Sequence, residues 1–131
     1  MIRLPPAAGV LLLALCGCQV APRAISAQPT VTHVVVCWLK NPDDTAAEAR
    51  IIEVSQSFKS IPGVLDVRVG RMLPSSRPIV DSSYDIAIVI DFTSERALRE
   101  YDAHPLHKRA VQSVLMPAVK RIQVYDFVAA Q

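Results

Sequence analysis

The stretch YDAHPLHKRA, residues 101–110, places two of the chain's three histidines around a proline. Imidazoles at this spacing can act as an acid–base device, clip a metal, or simply occupy a corner. Pro105 weighs against the clip. A residue before proline is pushed out of the helical region, so His104 closes one helix and Pro105 opens the next as its first residue. The regular helix that would align the two rings is interrupted, and no Cys or second His pair completes a zinc set. No metal and no cofactor are expected. Nor is there a glycine-rich phosphate loop or a nucleophile elbow. His107, just past the break, is the imidazole most free to act. The third histidine, His33, lies in an apolar run near residue 31.

The cysteines point to an address more than to chemistry. MIRLPPAAGVLLLALCGCQV opens with a positive Arg3 and a short apolar run, Val10 to Leu15. That run falls short of the roughly 20 apolar residues a membrane helix needs, but it suits a secretory signal. Leu15-Cys16-Gly17-Cys18 resembles the bacterial lipobox, with Cys18 in frame. The resemblance implies a signal peptide over 1–17, removed before Cys18, and acylation of Cys18 as a stable membrane anchor. Gln19 is not the Asp that marks inner-membrane retention, so the expected address is the outer membrane, facing the periplasm. Residues 18–30 then form a tether rich in Pro, Ala, Ser and Gln, spanning on the order of 40 Å when extended. Cys37 is left as the one free thiol, without a partner for a disulfide. Its place in an apolar strand pattern reads as an inert buried group.

The domain itself runs over 31–131, a length suited to one small domain. Loss of the signal removes Arg3 and no acid, so 13 Lys and Arg face 12 Asp and Glu. They are scattered rather than clustered, which excludes nucleic acid as the expected partner.

VTHVVVCWL (31–39) is a β-branched run and reads as the first strand. Asn41-Pro42 turns the chain, and Asp43, Asp44 and Thr45 offer caps to a helix. Ala47, Ile51, Val54, Phe58 and Ile61 form its single apolar stripe. Pro62-Gly63 stops it. A second strand is expected over Val64–Leu73, a polar loop over 74–83, and a third strand over 84–92. A short helix capped by Ser94 carries Ala97, Leu98 and Tyr101. The helix from Pro105 carries Leu106, Ala110 and Val114, and a last strand runs from Val119 to Val128.

The order is βαββαβ, which suggests a ferredoxin-like α+β protomer with an antiparallel four-stranded sheet of order 4-1-3-2. Strand four then lies beside strand one, and His33 and Asp126 become cross-strand neighbours. A carboxylate there would hold the imidazole's tautomer. Strand one is also apolar on both parities, whereas a sheet with one wet face should alternate. The face left uncovered by helices marks an interface, and the simplest closed solution is a homodimer through the open sheet face.

THVVVCWLK, YDIAIVIDFTSERALREYDAHPLH and the closing VYDF together resemble the stress-responsive α/β-barrel (Dabb) domain family, over nearly all of 31–128. The resemblance implies a dimeric α+β barrel. It also implies, from a plant branch that cyclises polyketides, that His107 and Tyr101 form a catalytic pair; His33 and Asp126 match residue types in that branch too. In such a site a neutral His107 would take a proton beside a substrate carbonyl, and Tyr101 would donate to the developing oxyanion. Against this, His107 could merely pack a corner and Tyr101 a helix face. Three functions stay open: a lipid-anchored module binding a small apolar molecule between helices and sheet, a cofactor-independent cyclase, isomerase or lyase, and a stress-linked structural oligomer without ligand.

Overall fold

The computed structural model describes residues 30–130. The signal segment, Cys18 and the tether up to residue 29 lie outside the described residues. No helix among the described residues is long and apolar enough to cross a membrane.

Strand β1 (Val31–Leu39) follows from its β-branched run, whose stiff side chains suit a pleated surface. Helix α1 (Thr45–Ser57) begins where the Asp44 carboxylate accepts the Ala47 N–H at 2.8 Å. It tightens into a 3₁₀ turn, Phe58–Ser60. The chain then reverses at Gly63, whose φ of +88° lies in the region open to glycine. Strands β2 (Val64–Arg71) and β3 (Ile86–Phe92) follow. Both are shorter than their sequence pattern; just before β3, Asp85 donates its N–H to the Cys37 carbonyl at 2.9 Å and accepts the Met72 N–H at 2.9 Å. Its carboxylate accepts the Leu39 N–H at 2.6 Å.

Helix α2 (Glu95–Ala103) is capped by Ser94, which accepts the Ala97 N–H at 3.2 Å. Helix α3 (Pro105–Ala110) widens into a π-helical stretch, Val111–Leu115, and ends in one more turn, Met116–Ala118. Pro117 accounts for the widening. It has no N–H to return to the carbonyl four residues back, and its ring crowds that carbonyl. The Met116 N–H reaches the carbonyl of Val111 instead, five residues back. Strand β4 (Val119–Val128) closes the chain.

All pairings are antiparallel, and the sheet order is β2-β3-β1-β4, as the ferredoxin-like reading requires. The dimeric α+β barrel that the family resemblance implied is corrected. β2 and β4 are free edges that do not pair with each other, and the sheet of this protomer is open. Even eight strands enclose an interior just wide enough for side chains, so four could not close around a core. Here the helices fill one face instead. Ile51, Phe58, Ile86, Ile88, Ile90, Phe92 and Tyr101 form the centre of that layer.

The opposite face is apolar at its middle and charged at one side. Val34, Val36, Ala87 and Val89 are half-buried there, while Tyr125 and Phe127 are exposed. Toward β2, Asp91 accepts from Thr32 Oγ1 and from Arg68 Nη2, each at 2.7 Å. At the far end Trp38 is covered by Arg121, its guanidinium 4.2 Å from the ring centre, and donates to Ser83 Oγ at 3.1 Å.

Candidate functional site

The two histidines at the corner do opposite things. His104 ends α2 and caps α3: its Nδ1 accepts the Leu106 N–H at 3.2 Å, so that nitrogen carries a lone pair. His107, in the first turn of α3, donates from Nδ1 to the carbonyl of Asp102 at 3.3 Å. Its remaining nitrogen, Nε2, is therefore the lone-pair acceptor of the neutral ring. Burial holds the His107 pKa below the ordinary imidazole value, partly opposed by the bond to Asp102. The corner thus presents one imidazole used by the backbone and one neutral imidazole with a free acceptor.

Tyr101 stands beside it. The two rings are tilted by 35° with centres 4.3 Å apart. Tyr101 is 2% exposed, and burial, with the Asp102 charge second, pushes its phenol well above the usual range. The hydroxyl stays protonated and can only be a hydrogen-bond partner, not a phenolate base. On its other side Tyr101 meets His33 edge-on, centres 6.0 Å apart. His33 and Asp126 are direct partners across β1 and β4, and Nδ1 donates to Asp126 Oδ1 at 2.6 Å. That bond fixes the His33 tautomer in the same way.

Asp126, His33, Tyr101 and His107 therefore form one continuous row from the sheet edge to the helix layer. Phe92 and Phe58 pack against it at 5.0 and 5.5 Å from Tyr101. The row is filled, not hollow: Tyr101 occupies the space between the two histidines. A cavity of about 30 Å³ lies on the other flank of His107, walled by Val35, Phe58, Ile88, Val111 and Leu115. His33, Tyr101 and Asp126 do not line it. Asp126 opens instead on a shallow surface groove of about 310 Å³ beside Leu98 and Arg99.

Residues 31–129 match the family described as the stress responsive A/B barrel domain. The chain belongs to this family. Among solved structures it is similar to a Dabb family protein with a ferredoxin-like fold from Mesorhizobium loti, with 25% identity, 79% of this chain and 100% of that chain covered, and a TM-score of 0.65. It is also similar to a dimeric ferredoxin-like protein of unknown function from Thermobifida fusca, at 20% identity, covering 77% and 92% with a TM-score of 0.65. A hydroxynitrile lyase from Passiflora edulis shares the fold at 17% identity, covering 79% and 96% with a TM-score of 0.70. No curated protein matches the chain.

Within this Dabb domain, sequence reasoning missed the cavity's walls. Val54, Ser55 and Phe58 lie on α1's apolar stripe or next to it, and nothing in their types separates a wall from a core position. The π-helical stretch had one signal, Pro117, two residues before the last strand. Cys37 is fully buried, and burial with the Asp85 charge pushes its thiol up to about 11, which withholds the thiolate. Among the described residues no three His, Cys, Asp or Glu side chains converge as a metal set.

Proposed function

We propose that this Dabb domain binds a small, largely apolar molecule in the cleft between α1, the π-helical stretch and the sheet. The observation that carries the reading is the cavity flanking His107. It is apolar on the sheet side, at Val35 and Ile88, and a half-buried imidazole forms part of its wall. Its present volume suits a water-sized occupant or two, so a ligand must widen it. The π-helical stretch is the wall suited to move, since none of its five residues is fully buried. Such stretches recur at functional sites. Benzene titrated into the purified protein should raise its melting temperature and shift the methyl resonances of Val35, Ile88 and Leu115. Shifts confined to the open sheet face, or none, would sink the reading.

A second reading is a cofactor-independent proton-transfer enzyme, a cyclase, isomerase or lyase. The stacked His107 and Tyr101 favour it, because a neutral acceptor nitrogen stands next to a phenol that stays protonated. The fold shared with the Passiflora lyase makes such chemistry compatible with this scaffold. His107→Ala screened against carbonyl compounds separates the two: turnover in the parent that survives the substitution removes His107 from the chemistry.

The open sheet face supports a homodimer as part of the same proposal. Val34, Val36, Val89, Tyr125 and Phe127 make a continuous apolar patch, and the similar Thermobifida protein is dimeric. Val36→Lys would set a charge at the middle of the patch. Sedimentation should find the parent dimeric at micromolar concentration and the variant monomeric; a monomeric parent would overturn the interface. The envelope address rests on residues 1–18 alone, and the mass of the mature chain tests it.

A further inference from the structure

The small cavity beside His107 has a larger neighbour. A groove of about 380 Å³ runs along the outside of α1, lined by Arg50, Glu53, Val54, Ser57 and Val114. Val54 lines both spaces. Helical periodicity explains the shared wall. Residues 51 and 55 of α1, with Phe58 of the 3₁₀ turn, point toward the sheet, residues 50, 53 and 57 face outward, and Val54 sits on the boundary. The π-helical stretch repeats the division, with Val111 and Leu115 on the inner space and Val114 on the outer.

The polar groups of the inner cavity are alike in one respect. Ser55 is buried and donates its hydroxyl proton to the carbonyl of Ile51 at 2.7 Å. His107 has used its Nδ1 proton on Asp102. Each side chain has only a lone pair left for an occupant. A carboxylate has no proton to offer them and would lose its hydration on entry. A cationic amine could donate, but would carry a charge into an apolar space. A neutral hydroxyl meets both demands.

We propose that the cavity and the groove are two halves of one site for a small neutral alcohol or phenol, entered between α1 and the π-helical stretch past Val54. This rests on the reading that the cleft binds small apolar molecules. The apolar body packs on Val35, Phe58, Ile88 and Leu115, and the hydroxyl donates to His107 Nε2. Val54 is the gate. Burial favours the uncharged ring of His107, which keeps that acceptor present.

Benzene, phenol and benzoate test this as a series on one ring. The titration follows the methyls of Val54, Ile88 and Leu115 and the His107 ring by NMR at neutral pH. Phenol should bind at least about 10-fold more tightly than benzene, the value of one net hydrogen bond, and benzoate should leave the methyls unmoved. In His107→Phe the aromatic packing is kept and the acceptor is lost. Benzene binding should persist there while phenol's advantage disappears. Val54→Trp should slow phenol entry at least about 10-fold, since a bulky gate must move further for each passage.

Failure of all three compounds to move the methyls would overturn the binding reading and this proposal together. Equal binding of benzene and phenol, or tight binding of benzoate, would overturn the hydroxyl assignment alone. An entry rate unchanged in Val54→Trp would overturn the route.

Discussion

Tyr101→Ala is expected to destabilise the domain by about 3–5 kcal/mol, and Tyr101→Phe by less than about 1.5 kcal/mol. The ring touches Phe58, Phe92, His33 and His107 at once. Its removal leaves a void that four rigid neighbours, held by three elements and a helix corner, cannot collapse to fill. In Tyr101→Phe every ring contact remains and only the hydroxyl goes. Urea denaturation would measure both, read as a shift in midpoint at constant slope. For a domain of this length each kcal/mol also moves the melting temperature by about 4–8 °C. The pair of substitutions separates two uses of one side chain. If the parent turns over a substrate, Tyr101→Phe should lower kcat in a protein that remains folded. If Tyr101 is packing alone, the Phe variant should match the parent in every assay. A small loss in Tyr101→Ala would mean that the row of rings is not the keystone its contacts imply.

The parts of the site set by backbone pairing were legible in the sequence, and those set by side-chain volume were not. His33 and Asp126 could be paired because strand order and direction alone bring the start of β1 to the end of β4. The corner was legible for a similar local reason: proline dictates where α2 ends and α3 begins, and so which imidazole is free. Tyr101's position as a plug between the two histidines was beyond such reasoning. Periodicity assigns it to the buried face of α2 without saying how deep the ring reaches. The cavity beside His107 is walled in part by the π-helical stretch, a displacement of helix backbone that no apolar pattern records. The barrel expectation failed at a different level. It came from the family resemblance, as a barrel of two sheets in a dimer; the apolar parities of β1 ask only for cover on both faces, and the sheet of this protomer is open, with β2 and β4 as edges.

Gly63→Ala should destabilise by about 2–5 kcal/mol, combining strain at positive φ with overpacking. The backbone there sits at φ +88°, and a methyl group would lie 2.6 Å from the Cβ of Ala97. Neither party can yield cheaply. Gly63 is held by the Thr93 N–H, which donates to its carbonyl at 3.0 Å, and Ala97 is fixed in the capped first turn of α2. Relief must come from moving α2 away from the turn. Tyr101 lies four residues beyond Ala97, on the same buried face of the helix, so it would move with it. The substitution is therefore expected to disturb the site as well as the fold. Thermal unfolding should show the loss, and the ring resonances of Tyr101 and His107 should shift although neither is near residue 63 in sequence. Ala97→Gly in the same chain should recover part of the stability by removing the opposing methyl, despite its own helix penalty of about 1 kcal/mol. If Gly63→Ala were as stable as the parent, close contact between this turn and α2 could not be what seats Tyr101 against the sheet.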